Sequence, residues 1–282
     1  MDSRFAGDTR DPAVNVTGWV LLVTCTLSVL VRLGTKFQLF HKLHADDYFI
    51  IASMIMGAVQ CICVSMAVSF GYGKHFNLVT EADFIVVMKY LYSASLVSVA
   101  SLALSKLSIV AWVLNLAPFD RLIAYITGLA VIIWALVAIM GSAFQCAIPE
   151  PWNIWSGKCF NLMAWQYFVN ISNIITDLCV ISQGLFLAHQ LQIALKKRLL
   201  VSVVFLSRLL LGHRLTHRDS VIGSIIAELI LIHNSITVVD PTYQSCYITI
   251  AQSLVQSLSI ITASCAQLKP FLTWLQPKEL QI

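Results

Sequence analysis

The chain contains a series of apolar runs of about 20 residues, separated by short polar links, and this pattern limits the folds open to it. An α-helix rises about 1.5 Å per residue, so a run of this length spans the roughly 30 Å hydrocarbon layer of a bilayer. Of the 282 residues, 58% are hydrophobic and 11% are charged, whereas a soluble domain has about 25% charged residues. The sequence therefore predicts an all-α, multi-pass protein of the plasma membrane or an endomembrane, surrounded by the lipid bilayer.

Seven such runs predict a single seven-transmembrane helix bundle over residues 14–270, with short polar tails at residues 1–13 and 271–282. The predicted spans are Val14 to Leu33, Asp47 to Ser69, Phe84 to Ala117, Leu122 to Phe144, Leu162 to Ala188, Leu199 to His233 and Cys246 to Leu268. In the sixth span, two apolar halves of 13 residues flank the octet GHRLTHRD at residues 212–219. Neither half can cross a bilayer alone. The pattern favours an inserted segment, genuine or introduced by the gene model, over a discontinuous helix that lines a cavity.

The distribution of lysine and arginine predicts the orientation of the bundle. Cytoplasmic links carry the excess of positive charge, and nine of these residues fall on one side against five on the other. The nine are Arg32, Lys36, Lys42, Arg121, Lys196, Lys197, Arg198, Lys269 and Lys278, and the five are Arg4, Arg10, Lys74, Lys89 and Lys158. We therefore expect the N-terminus outside and the C-terminus inside. The net charge of +4 reflects this asymmetry, and no nucleic-acid partner is expected.

Lys106 lies deep inside the third predicted span. A positive charge at the centre of a bilayer costs about 2.5 to 3.5 kcal/mol on insertion scales, so such a lysine needs an acidic partner. Asp177 in the fifth span and the pair Asp46 and Asp47 at the start of the second are the candidates. We expect these four residues to form one intramembrane polar cluster near the cytoplasmic side. A structural ion pair is favoured over a proton relay.

A polar face follows the fifth span. Gln166, Asn170, Asn173 and Asp177 are spaced by 4, 3 and 4 residues, which places them on one side of a helix. Such a side points toward other helices, where its amides can form interhelical hydrogen bonds. The pattern favours this structural role, and the alternative is the lining of a ligand or ion path.

The cysteines and one sequon predict the extramembrane chemistry. Cys146 and Cys159 fall in the same predicted outer loop, so we expect a disulfide between them. Asn15 begins the glycosylation sequon Asn15-Val16-Thr17 on the same side. Cys61 and Cys63 have no histidine or glutamate at ligand spacing beside them, so no metal site is predicted.

Several short motifs occur in a fixed order over most of the chain. They are Asp46-Asp47-Tyr48, Gly71-Tyr72-Gly73-Lys74-His75, Lys106-Leu107-Ser108-Ile109, Cys146 to Cys159 with tryptophans between, Thr176-Asp177 and Asp240-Pro241-Thr242-Tyr243. In this order and spacing the chain resembles the fungal rhodopsin-domain family of integral membrane proteins. The resemblance implies a seven-helix bundle, with some members discussed as surface receptors and others encoded beside secondary-metabolite pathways.

The resemblance leads to two hypotheses about function. The favoured one is a receptor-like membrane protein, without enzymatic activity, for an unknown small-molecule or hydrophobic ligand. The alternative is a membrane-embedded enzyme or accessory protein of fungal secondary-metabolite biosynthesis, with the polar face and His75 acting on a hydrophobic intermediate. We expect no retinal and no other cofactor, since a retinal Schiff base needs a lysine in the middle of the last helix and residues 247–268 contain none.

Overall fold

The computed structural model describes residues 11–74, 79–116, 121–153, 159–190 and 241–274. Within these ranges the regular secondary structure is α-helical, apart from one isolated bridge between Cys146 and Cys159. The helices are α1 (Asp11–Phe40), α2 (Ala45–Ser69), α3 (Glu81–Leu116), α4 (Arg121–Ala143), α5 (Leu162–Gln190) and α6 (Pro241–Trp274). Helix α6 contains the seventh predicted span. The octet at 212–219, Lys196 to Arg198 and His75 lie outside the described residues, so the count of seven spans stays a prediction.

Five of the described helices are long and apolar enough to cross a membrane. The candidate spans are Pro12–Gln38, Ala45–Ser69, Glu81–Asn115, Arg121–Ala143 and Ser245–Cys265. Helix α5 reaches 29 residues and carries the polar face. The chain is therefore a multi-pass, all-α membrane protein.

Helix α3 occupies the centre of the described bundle and packs against α2, α4, α5 and α6. A row of serines lets neighbouring helices approach it closely, because small side chains bring the helix axes together. Ser101 and Ser53 each donate a hydrogen bond to the other's carbonyl, at 2.9 and 2.8 Å, and so join α3 to α2. Ser105 and Ser259 share a hydrogen bond of 2.7 Å that joins α3 to α6.

Helix α4 has one side that packs against the other helices and an opposite side that is exposed and apolar. Val131, Trp134 and Ala138 are buried against the other helices. The opposite side has large apolar side chains that are more than half exposed: Leu122, Tyr125, Ile126, Leu129, Ile133, Leu136 and Met140. An exposed apolar face of this size is unfavourable in water but matches the hydrocarbon of a bilayer.

One end of the bundle holds the link from α2 to α3 and the loop from α4 to α5, and it is here named the disulfide end. Cys146 and Cys159 are bonded there, which confirms the predicted disulfide. The Tyr92 hydroxyl on α3 donates to the Ala143 carbonyl at 2.9 Å, and this contact ties α3 to the last residue of α4, where the loop begins. The loop between α4 and α5 is therefore attached to α3 as well as closed by its own covalent bond.

A glycine turn follows α2 at the same end. Gly71 and Gly73 have φ angles of 100° and 97°, a left-handed conformation that only glycine adopts without strain. The turn places Tyr72 in the interior, where its hydroxyl forms a 2.7 Å hydrogen bond with Thr249 of α6. Burial raises the pKa of Tyr72, so the phenol stays neutral. The motif Gly71-Tyr72-Gly73 thus attaches this turn to α6.

The observed helix ends correct two expectations. Helix α1 continues to Phe40, past the predicted end at Leu33, so Lys36 belongs to the helix and not to a link, and Arg32 lies two turns before the helix end. Arg32 is 1% exposed, since its charge is paired within the bundle and does not have to reach water. Helix α6 likewise continues through Pro270 to Trp274, past the predicted end of the span at Leu268.

Candidate functional site

Lys106 is fully buried, and its ammonium group has a complete set of partners. Nζ donates to the carbonyl of Asn173 at 3.0 Å, to Oδ1 of the same residue and to Oγ1 of Thr176 at 2.6 Å. It lies 4.5 Å from the centre of the Trp134 ring and 3.6 Å from Oδ1 of Asp177. Three acceptors, a carboxylate and an aromatic face replace the water that the charge has lost.

A second charged group joins α1, α2 and α3 at the end opposite the disulfide. Arg32 Nη2 donates to Asp46 Oδ2 at 2.9 Å and to Asp47 Oδ1 at 3.2 Å. Lys36 Nζ contacts the same two carboxylates, at 2.7 Å for Asp47. The Ser108 hydroxyl donates to the Asp46 carbonyl at 2.7 Å. Two cations and two anions balance, so the group carries no net charge.

The structure therefore divides Asp46, Asp47, Lys106 and Asp177 between two groups, where the sequence predicted one cluster. The reason is the geometry of α3. Each residue turns a helix by about 100°, so Lys106 and Ser108 point in nearly opposite directions. Lys106 faces α4 and α5, whereas Ser108 faces Asp46 on α2. Of the two predicted partners, Asp177 is the one next to Lys106.

The sequence reasoning missed Arg32 and Lys36 as the partners of the aspartate pair. On the sequence alone, both count only among the nine positive residues of the cytoplasmic side. Their spacing of four residues, which places two side chains on one side of a helix, was the available signal. Asp47 has a further role, since its Oδ2 accepts a hydrogen bond from the backbone N–H of His44 at 3.1 Å and so caps the start of α2.

A cavity of about 50 Å³, here named the polar cavity, lies between α3, α4, α5 and α6 on the disulfide side of Lys106. Of the twelve described residues that line it, seven are polar and uncharged: Ser95, Ser98, Ser142, Gln166, Asn170, Asn173 and Gln252. Gln166, Asn170 and Asn173 of the predicted polar face all lie on its wall. Asp177 is one helical turn further from the disulfide end and does not line it. The face predicted on α5 thus borders a space inside the bundle.

Asn170 has an amide group whose donor is unused. The residue is 8% exposed, and its Nδ2 has no hydrogen-bond partner. A buried polar group without a partner costs about 1 to 3 kcal/mol. A molecule bound in the polar cavity would remove this cost if one of its atoms accepted a hydrogen bond from Asn170 Nδ2.

The loop between α4 and α5, here named the disulfide loop, is described at residues 144–153 and 159–161 and is held by several contacts. Lys89 Nζ on α3 lies 5.0 Å from the centre of the Trp152 ring in the loop. Trp165 on α5 donates from Nε1 to the Ser142 hydroxyl on α4 at 3.1 Å. Its indole also fills the space beside Gly141, where any side chain would overlap the ring. The loop and the two helices that it joins therefore form one packed unit.

Asn15, the predicted glycosylation site, lies in α1 and is partly buried. Its Oδ1 accepts a hydrogen bond from the Ser65 hydroxyl of α2 at 2.7 Å. Glycosylation of Asn15 stays a prediction. In the described ranges, no group of three histidine, cysteine, aspartate or glutamate residues comes together to hold a metal ion.

The sequence was compared with models of known protein families, and one model matches it. The family model described as the fungal rhodopsin domain matches residues 31–274. No curated protein and no solved structure matches the chain. The matched region includes both charged groups, the disulfide loop and the walls of the polar cavity.

Proposed function

The chain belongs to the fungal rhodopsin-domain family, and from this premise we propose that it is a receptor-like membrane protein that binds a small ligand in the polar cavity. The observation that carries the proposal is Asn170 Nδ2, a buried donor without a partner on the cavity wall. The other polar residues of the wall give a ligand several ways to be oriented.

The proposed topology places the polar cavity toward the outside. The disulfide supports this orientation, because disulfides persist in oxidising compartments and are rare in the cytosol. The excess of lysine and arginine on the other side supports it as well. A ligand from outside would then enter beneath the disulfide loop, and the C-terminus would be cytoplasmic.

The polar cavity is adjacent to the Lys106 group, and this contact supports a receptor-like role. Asn173 lines the cavity and also accepts two hydrogen bonds from Lys106 Nζ. A ligand that moves the Asn173 amide therefore changes the partners of a buried charge. Such a ligand shifts the balance between conformations by as much as its affinity differs between them.

The alternative function, a membrane-embedded enzyme, lacks equivalent support. Nucleophilic catalysis needs a nucleophile activated by a base, and acid–base catalysis needs a titratable side chain at the site. None of the described residues that line the polar cavity is a histidine, cysteine, aspartate or glutamate. The receptor-like role is therefore the one that the geometry favours.

The test is a thermal-unfolding screen of small polar compounds against the purified full-length protein in nanodiscs. The blocking variant is Ser95→Leu, because Ser95 lines the polar cavity and bonds only the Tyr92 carbonyl of its own helix. The matched control is Ser93→Leu, since Ser93 bonds the Lys89 carbonyl in the same manner and does not line the cavity.

A ligand at 100 times its Kd adds about 2.7 kcal/mol to the free energy of unfolding, or roughly 5 to 10 °C in Tm. We expect hits to raise the Tm of the wild type and of Ser93→Leu but not that of Ser95→Leu. Hits that stabilise all three proteins equally would place the ligand elsewhere and contradict the proposal.

A further inference from the structure

The described part of the polar cavity indicates the chemical class of its ligand, and we propose that this ligand is a small carboxylate. The inference rests on the proposed function, because it concerns the same site. Three observations carry it: the size of the cavity, the hydrogen-bonding groups on its wall and the arrangement of the charges next to it.

The size of the cavity limits the ligand to a few atoms. A water molecule needs at least about 10 to 15 Å³ by this measure, so 50 Å³ holds about three to five water-sized groups. A short-chain carboxylate of about five non-hydrogen atoms has this volume. A larger ligand would have to displace side chains of the bundle or the disulfide loop.

The wall of the cavity offers donors and no competing negative charge. Asn170 Nδ2 is buried and unpartnered, so it is available to an acceptor oxygen. The hydroxyl of Ser98, which is 6% exposed, lies on the same wall. None of the lining residues within the described ranges is an aspartate or glutamate. A carboxylate accepts hydrogen bonds on both oxygens and has no donor of its own, which matches this set.

The charges beneath the cavity favour a negative group. Two residues on the wall, Trp134 and Asn173, touch the ammonium of Lys106 directly. Asp177, the carboxylate of that pair, lies one helical turn further away and does not line the cavity. The pair therefore presents its positive end to the cavity. In a medium of low dielectric constant this orientation acts strongly on a charge a few ångströms away.

The experiment compares propanoate with propanamide, which have the same shape and number of non-hydrogen atoms but differ in charge. Sodium chloride replaces sodium propanoate in the reference, so that ionic strength is constant. The Tm of the full-length protein in nanodiscs is measured against ligand concentration at pH 7. We expect propanoate to bind at least tenfold more tightly than propanamide.

Variants at Asn170 identify the site. Asn170→Asp keeps the shape of the side chain but adds a negative charge, so it should abolish the Tm shift with propanoate. Asn170→Leu removes the hydrogen-bond donor and should lower the affinity for propanoate by about tenfold. Ser172→Ala, on another side of the same helix, bonds only backbone carbonyls of α5 and should leave propanoate binding unchanged.

The outcomes separate the inference from the function on which it rests. If propanamide binds as tightly as propanoate and its binding depends on Asn170, the proposal that the ligand is a carboxylate is wrong. The proposal that the polar cavity binds a ligand would still stand. If propanoate causes no Tm shift, or a Tm shift that Asn170→Asp does not change, the proposal that the ligand is a carboxylate is also wrong. The proposed function is judged separately, by the Ser95→Leu and Ser93→Leu pair.

Discussion

At the scale of single residues, Lys106 shows how a bundle accommodates a charge in the middle of a helix. The ammonium has three hydrogen-bond acceptors, the Trp134 ring and the Asp177 carboxylate around it. The 3.6 Å separation from Asp177 is longer than a direct hydrogen bond, so Asn173 and Thr176 provide the hydrogen bonds and Asp177 the charge. The stability of the group therefore depends on polar neighbours as well as on the ion pair.

The first prediction is a double-mutant cycle on Lys106 and Asp177. Removing one partner of a buried pair typically costs about 3 to 5 kcal/mol, because the other charge is left uncompensated. Lys106→Met and Asp177→Leu should therefore each lower the Tm by a large amount. The double variant should recover part of the loss, but not all, since Asn173 and Thr176 lose their donor as well.

The coupling energy of this cycle decides the assignment. A double variant as unstable as the sum of the two single variants would show that Asp177 does not compensate Lys106. A harmless Lys106→Met would show that Asp177 does not depend on the lysine for compensation of its charge. The same cycle on Arg32 and Asp46, at the other end of the bundle, should give a coupling energy of similar sign.

At the scale of the elements, the packing of α4 against α5 depends on one glycine. The second prediction is that Gly141→Ala destabilises the protein, because a methyl group at this position overlaps the Trp165 ring. Overpacking of this kind costs about 1 to 3 kcal/mol. Trp165→Leu in the Gly141→Ala background should relieve the overlap and recover part of the loss in Tm.

Gly34 provides the matched control for that substitution. A methyl group on Gly34, in α1, would meet nothing within 4 Å. Replacement of a helical glycine by alanine in open space stabilises a helix by about 0.5 to 1 kcal/mol. We therefore expect Gly34→Ala to raise the Tm slightly, and equal losses at both positions would contradict the packing at Gly141.

The third prediction concerns the loop between α4 and α5. Replacement of Cys146 and Cys159 together by serine should lower stability by about 2 to 4 kcal/mol, because the open loop gains conformational freedom in the unfolded state. Cys179→Ser is the control, since Cys179 is exposed and unpaired. Peptides linked through Cys146 and Cys159 should appear by mass spectrometry after nonreducing digestion. Two free, alkylated thiols would disprove the bond.

The sequence predicted the faces of the helices better than their partners and their ends. The 4, 3 and 4 spacing on α5 was sufficient to place Gln166, Asn170 and Asn173 on one side, because helical periodicity depends only on local geometry. That Nδ2 of Asn170 would be unpartnered could not be predicted, since it depends on how four helices meet. The burial of Arg32 was missed because a charge near the end of an apolar run looks like an ordinary membrane boundary.

At the scale of the whole molecule, the helices, the lipid-facing side of α4 and the family match give a multi-pass membrane protein. The two charged groups lie on different sides of α3 and join all the described helices except α6 through side chains. Arg32 Nη1 extends this connection to α6 through the carbonyl of Ala263 at 3.5 Å. Helix α3 is therefore the element through which a change at the polar cavity would reach the opposite end.

The fourth prediction is the orientation of the bundle in the membrane, with the N-terminus and the disulfide end outside. Fluorescent tags on the two ends of the full-length protein distinguish the possibilities in intact cells. Protease added outside should remove the N-terminal tag and should leave the C-terminal tag untouched until the cells are permeabilised. The expected result follows from the nine to five excess of lysine and arginine and from the oxidising compartment that the disulfide requires.

A charge variant tests the cause of that orientation. Replacement of Lys196, Lys197 and Arg198 by glutamine reduces the number of lysine and arginine residues on the cytoplasmic side from nine to six, against five on the other side. A fraction of the molecules should then insert with the C-terminus outside. Replacement of Lys106 by methionine changes the total charge but not the charge of any link, and it should leave the orientation unchanged. Loss of the C-terminal tag in intact cells that express the wild type would reverse the assignment. The polar cavity would then open toward the cytoplasm, and its ligand would have to come from inside the cell.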